Sequence, residues 1–91
     1  MDLGEQIELN GFEEREPGEL LIAKKLIGNH AKALMQRMPG FERLILTVER
    51  TPARCTVSGS VRAAGKTHDA AVHDQNVFFA LDRCLKALGR A

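Results

Sequence analysis

The chain has 91 residues, 44% of them apolar and 27% charged, with 13 Lys+Arg against 12 Asp+Glu and a formal net charge of +1. A chain this short buries only about 60–65% of its unfolded surface, which allows one core and excludes multi-domain machinery. Its apolar content excludes a disordered chain, and no run approaches the ~18 apolar residues of a membrane span. The near-neutral total hides an asymmetry. Residues 1–19 hold seven acids (Asp2, Glu5, Glu8, Glu13, Glu14, Glu16 and Glu19) and one base, Arg15, a net of −6; residues 20–91 hold twelve bases and five acids, a net of +7. An acidic head cancelling a basic body points to a polyanionic partner.

The opening Met-Asp-Leu-Gly-Glu-Gln has neither the basic n-region nor the apolar h-region of a secretory leader, so a cytoplasmic protein is expected. Cys55 and Cys84 stand far apart among apolar neighbours. That spacing offers no CxxC redox pair or zinc knuckle and reads as two buried free thiols.

In chain order, Gln6 to Asn10 alternates, with Ile7 and Leu9 on one side, and predicts a short strand stopped by Gly11. The polar stretch Glu13 to Glu19, marked by Pro17-Gly18, places carboxylates where the positive end of a helix dipole stabilises them. Leu20 to Met38 has helical period. Leu20, Ala23, Ile27, Ala31, Leu34, Met35 and Met38 form its apolar face, and Lys25, Asn29, Lys32 and Gln36 form a nearly opposite stripe with two cations and no carboxylate. Gly28 inside this helix costs about 1 kcal/mol relative to Ala, and Pro39-Gly40 ends it.

Residues 42–50 return to strand alternation, with Leu44, Leu46 and Val48 facing one way. A second strand carries Cys55, Val57, Gly59, Val61 and Ala63 inward and Thr56, Ser58, Ser60 and Arg62 outward, up to a turn at Ala64-Gly65-Lys66. A third covers residues 67–72, with His68, Ala70 and Val72 on one side. Three such strands joined by short turns predict an antiparallel meander with one covered face. Asn76 to Arg90 is a second amphipathic helix, capped by Asp74 or Asn76. Its core stripe is Val77, Phe78, Leu81, Cys84, Leu85 and Leu88, and opposite stand Phe79, Arg83, Lys86 and Arg90. Phe79 on a charged face has two readings: contact with the neighbouring helix or partial exposure, or a stacking surface for unpaired bases amid cations.

These elements predict an α+β, two-layer sandwich of order β-α-β-β-β-α, a four-stranded sheet with two helices packed on one face, similar to double-stranded-RNA-binding domains. Both helices then turn a cationic stripe to the same side, where Lys and Arg gain by releasing counterions condensed on phosphates.

The run Gly65-Lys66-Thr67-His68-Asp69-Ala70-Ala71-Val72-His73-Asp74-Gln75-Asn76-Val77-Phe78-Phe79-Ala80-Leu81-Asp82 resembles the closing strand and helix of the ribosome hibernation-promoting factor and ribosome-associated inhibitor A family. Ile7-Glu8-Leu9-Asn10-Gly11, Lys24-Lys25-Leu26 and Thr47-Val48-Glu49-Arg50 are similar to its opening strand, a lysine pair in its first helix and the end of its second strand. The resemblance spans essentially the whole chain. Phe79 stands where the family usually has Ala, Asn76 where an acid is common, and His68 where the inward strand is usually aliphatic.

The resemblance implies that residues 1–91 form one ribosome-binding domain. It would sit on the small ribosomal subunit in the channel used by mRNA and tRNA and silence translation under stress. Carried over residue by residue, the family's ribosomal RNA contacts fall on Lys24, Lys25, Lys32, Arg83, Lys86 and Arg90, to which the stripe reading adds Phe79. Because the chain stops at Ala91, the likeness is to the short form, which lacks the dimerising C-terminal domain.

His68-Asp69 and His73-Asp74 have metal-ligand chemistry. Positions 68 and 73 differ by an odd number, so a regular strand points them to opposite faces and no metal site is expected. No Ser-His-Asp, GxGxxG or P-loop pattern is present. The chain therefore reads as a binder and not an enzyme, with no cofactor, small-molecule substrate or membrane partner. The alternatives are a structured-RNA binder unrelated to hibernation, or a protein-interaction module forming a weak homodimer through its open sheet face or the Phe79 surface.

Overall fold

The computed structural model describes residues 6–12 and 17–89. It contains β1 (Ile7–Asn10), α1 (Pro17–Arg37), β2 (Phe41–Arg50), β3 (Cys55–Ala63), β4 (Lys66–Asp74) and α2 (Val77–Gly89), the predicted order. The strands form one sheet in sequence order. β2, β3 and β4 make the expected antiparallel meander. β1 lies parallel to β2, an arrangement that needs a crossover, and α1 supplies it.

The register turns alternation into a layer. Leu9, Leu46, Gly59 and Ala70 stand side by side across all four strands, as do Ile7, Leu44, Val61 and His68. Their side chains share the face on which the helices pack. Leu9, Leu44, Leu46, Val57 and Val61 are completely buried there, against Ala23, Ile27, Ala31 and Leu34 of α1 and Ala80, Leu81, Cys84, Leu85 and Leu88 of α2. The next row, Glu8, Ile45, Ser60 and Asp69, lies on the uncovered face.

Gly59 sets how closely α2 approaches. A Cβ placed there would lie 2.8 Å from Leu88 Cδ1, 2.9 Å from Cys84 Sγ and 3.1 Å from Leu46 Cδ2, so α2 occupies the space that a side chain on β3 would take. The Cys84 thiol also donates to the Ala70 carbonyl at 3.7 Å. Burial pushes this thiol up to about 11, because the thiolate would lose its hydration. Both cysteines are buried and free, as expected.

Some boundaries differ from the prediction. α1 begins at Pro17 rather than Leu20, since proline at a first helical position loses no hydrogen bond and has the required φ. Residues 13–16, including three carboxylates of the predicted acidic entry, lie outside the described residues. Met35, placed on the apolar face by its period, is exposed. Phe12, which no period marked, is among the most buried side chains of the molecule. It reaches the core because Gly11 turns with φ +82° where a Cβ would collide with the Val48 carbonyl oxygen. β4 continues to Asp74 without a register shift, so His68 and His73 do project to opposite faces. The α2 cap is Asn76, whose Oδ1 accepts from the Phe78 and Phe79 amides at 2.8 and 3.2 Å; Asp74 instead accepts from the Asn76 amide at 2.9 Å.

Candidate nucleic-acid interface

The two helices lie side by side and run the same way. His30 of α1 meets Asp82 of α2 at 2.9 Å, and one to two turns on, Arg37 Nη1 lies 4.0 Å from a Cβ built on Gly89, the same offset in sequence. With both helices in one layer, the residues opposite their buried stripes look out on one surface. Lys25 and Lys32 of α1 and Phe79, Arg83 and Lys86 of α2 are all exposed there, as the periodicity predicted. Lys24 is half-buried. At 3.6 residues per turn it lies about 120° round α1 from His30, on the flank away from α2. Arg90 lies outside the described residues.

The cations differ in what holds them. Arg83 Nη1 is 3.1 Å from Asp74 Oδ2 at the end of β4. Lys86 Nζ is 2.9 Å from Asp82 Oδ2 one turn back. Asp82 also accepts from His30 Nε2. The Lys86 ammonium first, and the His30 hydrogen bond after it, hold the Asp82 carboxyl below the ordinary aspartate range. An ionised carboxylate only accepts, so His30 carries its proton on Nε2. Among the described residues no carboxylate pairs with Lys24, Lys25 or Lys32.

A cation absent from the predicted set enters here. A groove of about 420 Å³ runs between the C-terminal halves of the helices, lined by His30, Leu34 and Arg37 on one side and Leu85, Lys86 and Gly89 on the other. Arg37 is exposed and brings a second permanent charge beside Lys86. Its position seven residues after His30 was the available signal, because residues so spaced share a helix face.

Phe79 is 61% exposed. That exposure fits both readings of its position, a partly exposed side chain and a stacking surface. Phe78, expected in the core, is only partly buried, while Ala80 is fully buried over the sheet. Leu21 and Ile22, exposed at 59% and 55%, add apolar surface to the first turns of α1.

On the far side of the sheet the lining changes character. Ile45, Thr47, Ser58, Ser60, Asp69 and Ala71 border a shallow depression of about 450 Å³. Arg43 is bound to Glu8 at 2.7 Å and Arg62 to Glu42 at 3.2 Å, so its cations are neutralised within the protein. His73 Nδ1 lies 2.8 Å from the Thr56 hydroxyl. The helical side carries the larger group of exposed cations, Lys25, Lys32, Arg37, Arg83 and Lys86, while Arg50, Arg54 and Lys66 are exposed at or beside the strand ends. No described helix is long and apolar enough to cross a membrane.

Two solved structures share this architecture. A ribosomal subunit interface protein from Coxiella burnetii superposes with a TM-score of 0.69 over 94% of this chain and 91% of that one, at 15% identity. The N-terminal domain of Protein Y from Thermus thermophilus superposes with a TM-score of 0.72 over 99% of this chain and 93% of that one, at 12% identity. No family model and no curated protein matches the sequence. The fold implied by the resemblance is present in full; at these identities the individual surface side chains are this chain's own.

Proposed function

We propose that this β-α-β-β-β-α chain is a cytoplasmic, ribosome-associated translation regulator. It binds small-subunit ribosomal RNA through the outward faces of α1 and α2 and blocks the mRNA/tRNA channel under stress. The observation that carries the reading is the end-to-end likeness to a protein named for the ribosomal subunit interface, on a chain whose two helices present Lys25, Lys32, Arg37, Arg83 and Lys86 on one exposed surface. Lys25, Lys32, Arg37 and Lys86 supply phosphate contacts, joined by Lys24 and Arg83 at the flanks and by Arg90. Phe79 offers an unpaired base a ring to stack on. One core shared by the described residues supports reading residues 1–91 as one binding domain. The role asked of these side chains is attraction and shape, with no bond made or broken.

Asp74 and Asp82 modulate the surface. Exposed ion pairs are weak, about 0–1 kcal/mol, so a phosphate can exchange for either carboxylate, but each exchange returns part of what it gains. Affinity is thus spread over several modest contacts and falls steeply with salt.

Sucrose-gradient sedimentation with small subunits tests the reading. The chain should co-sediment at low salt and dissociate with a log–log slope of roughly −3.5 to −4.5 for about five phosphate contacts. Replacing Arg83, Lys86 and Arg90 together by Ala removes no core side chain and should abolish co-sedimentation of a folded protein. Association insensitive to salt, or retained by the triple variant, would overturn the assignment.

A further inference from the structure

β4 runs along one edge of the sheet for nine residues, Lys66–Asp74, and among the described residues no strand pairs with its outer side. Such an edge is a template for another strand, and proteins usually blunt it with proline, a bulge or charge. β4 contains no proline, and its pairing with β3 has no irregularity. It does carry charge, in a self-complementary order. When the strand is laid antiparallel on a copy of itself about Ala71, Asp69 falls opposite the partner's His73 and His68 opposite the partner's Asp74. Ala70 meets the partner's Val72. By symmetry each contact occurs twice, and every Asp and His of the strand is matched to its complement.

The side chains are placed for this. Asp69 and His73 lie on the uncovered face and are exposed. With His73 Nδ1 engaged by Thr56, Nε2 is the ring nitrogen left to reach a carboxylate. His68 and Asp74 share the helical face, half-buried, where Arg83 already orients the Asp74 carboxylate. The helical layer also permits the approach. α2 lies over β3 and β4, so with strands about 4.8 Å apart two copies of α2 would come within about 10 Å, a normal helix-packing distance. The flank that meets there carries Arg83 and, one turn on, the small exposed Ala87.

We infer that β4 is the edge through which two copies of this chain pair, antiparallel about Ala71, into one continuous sheet. The occupant is a second copy because the complementarity is the strand's own. The pairing does not depend on the RNA reading, and it is tested with the protein alone. In sedimentation equilibrium over a concentration series, the mass should climb from 10.0 kDa toward twice that value. Asp69→Lys sets a cation opposite each His73, and His73→Asp sets two carboxylates together; either should hold the chain at monomer mass where the native chain is dimeric. The double variant Asp69→Lys/His73→Asp sets an ammonium opposite a carboxylate and should recover the dimer. Circular dichroism checks that each variant is folded. Hydrogen exchange on the native chain gives a reading without any variant: β4 amides should gain protection as concentration rises. A chain that stays monomeric throughout, a folded double variant that stays monomeric, protection appearing elsewhere, or a dimer dissolved by Phe79→Ala but not by Asp69→Lys would overturn the inference.

Discussion

Replacing Asp82 by Asn separates the two roles of one carboxylate. It joins α1 to α2 through His30 and restrains Lys86, each at 2.9 Å. The amide keeps the shape and can still accept from His30, so the loss is one charge. On the stability side, an exposed i,i+4 pair contributes about 0.3–0.5 kcal/mol. Weakening a hydrogen bond that contributes about 1 kcal/mol removes only part of it, less again because the Asp82 side chain is 34% exposed. The sum stays under about 1 kcal/mol, and Tm should fall by no more than roughly 4–8 °C. On the binding side Lys86 is released next to Arg37. Its phosphate contact no longer gives part of its gain back to a carboxylate; at most this steepens the slope of log K against log salt by the about 0.7–0.9 of one full contact, which near 0.1 M salt amounts to no more than roughly fivefold to eightfold tighter binding. The assay is a salt titration of fluorescently labelled protein against small subunits, native chain beside Asp82→Asn. Adding Lys86→Ala to Asp82→Asn should erase the gain. If Asp82→Asn leaves both slope and affinity where they were, Asp82 does not restrain an RNA-binding cation and the reasoning fails.

Other outcomes follow from the same geometry. Gly59→Ala drives a methyl against Leu88 and Cys84 and should cost about 1–3 kcal/mol, a Tm lower by roughly 5–20 °C; adding Cys84→Ala, which removes the Sγ at 2.9 Å, should return part of it, and an unchanged Tm would deny the close approach of α2. Phe79→Ala should leave stability within about 0.5 kcal/mol, since the ring is exposed, yet weaken ribosome binding by about 1–3 kcal/mol if a base stacks on it; equal affinity would make the ring a bystander. The Arg43 hydrogen bond chiefly, and then Asn10, hold Glu8 below its ordinary value, as Lys86 and His30 do Asp82. A carboxyl held lower in the folded than in the unfolded chain contributes stability that is whole above its ordinary value and is lost as pH falls through the lowered one. Thermal melts should therefore show the native chain's advantage over Asp82→Asn intact above about pH 5 and shrinking below about pH 4; a gap that widens in acid would contradict the sign.

Two kinds of residue show how far local pattern reaches. Leu44, Leu46, Val48, Val57 and Val61 were legible because strand alternation has period 2, and Ala23, Ile27, Ala31, Leu34, Leu81, Cys84, Leu85 and Leu88 because helix periodicity singles out one stripe. The exposed Lys25, Lys32, Phe79, Arg83 and Lys86 followed as the complement of those stripes. Phe12 was not legible, because its burial comes from a backbone reversal at Gly11 and not from any period. Met35 misled, because the period marks an apolar arc without saying how wide a neighbouring layer is.

The order of elements, the covered and uncovered faces of each and the sign of the outward stripes were thus settled by the chain itself, since they depend on side-chain chemistry and backbone geometry within a few residues. The tertiary structure decided everything that joins distant residues. It set β1 parallel to β2, seated α2 on Gly59 and brought Arg37 beside Lys86. It also gave Arg83 its partner in Asp74 and Asp82 its partner in His30, and left β4 as an open edge. Charge and packing act over a few ångströms of space regardless of separation in sequence, so composition could announce a basic body but only the packed helices could show which of its cations are held and which are offered.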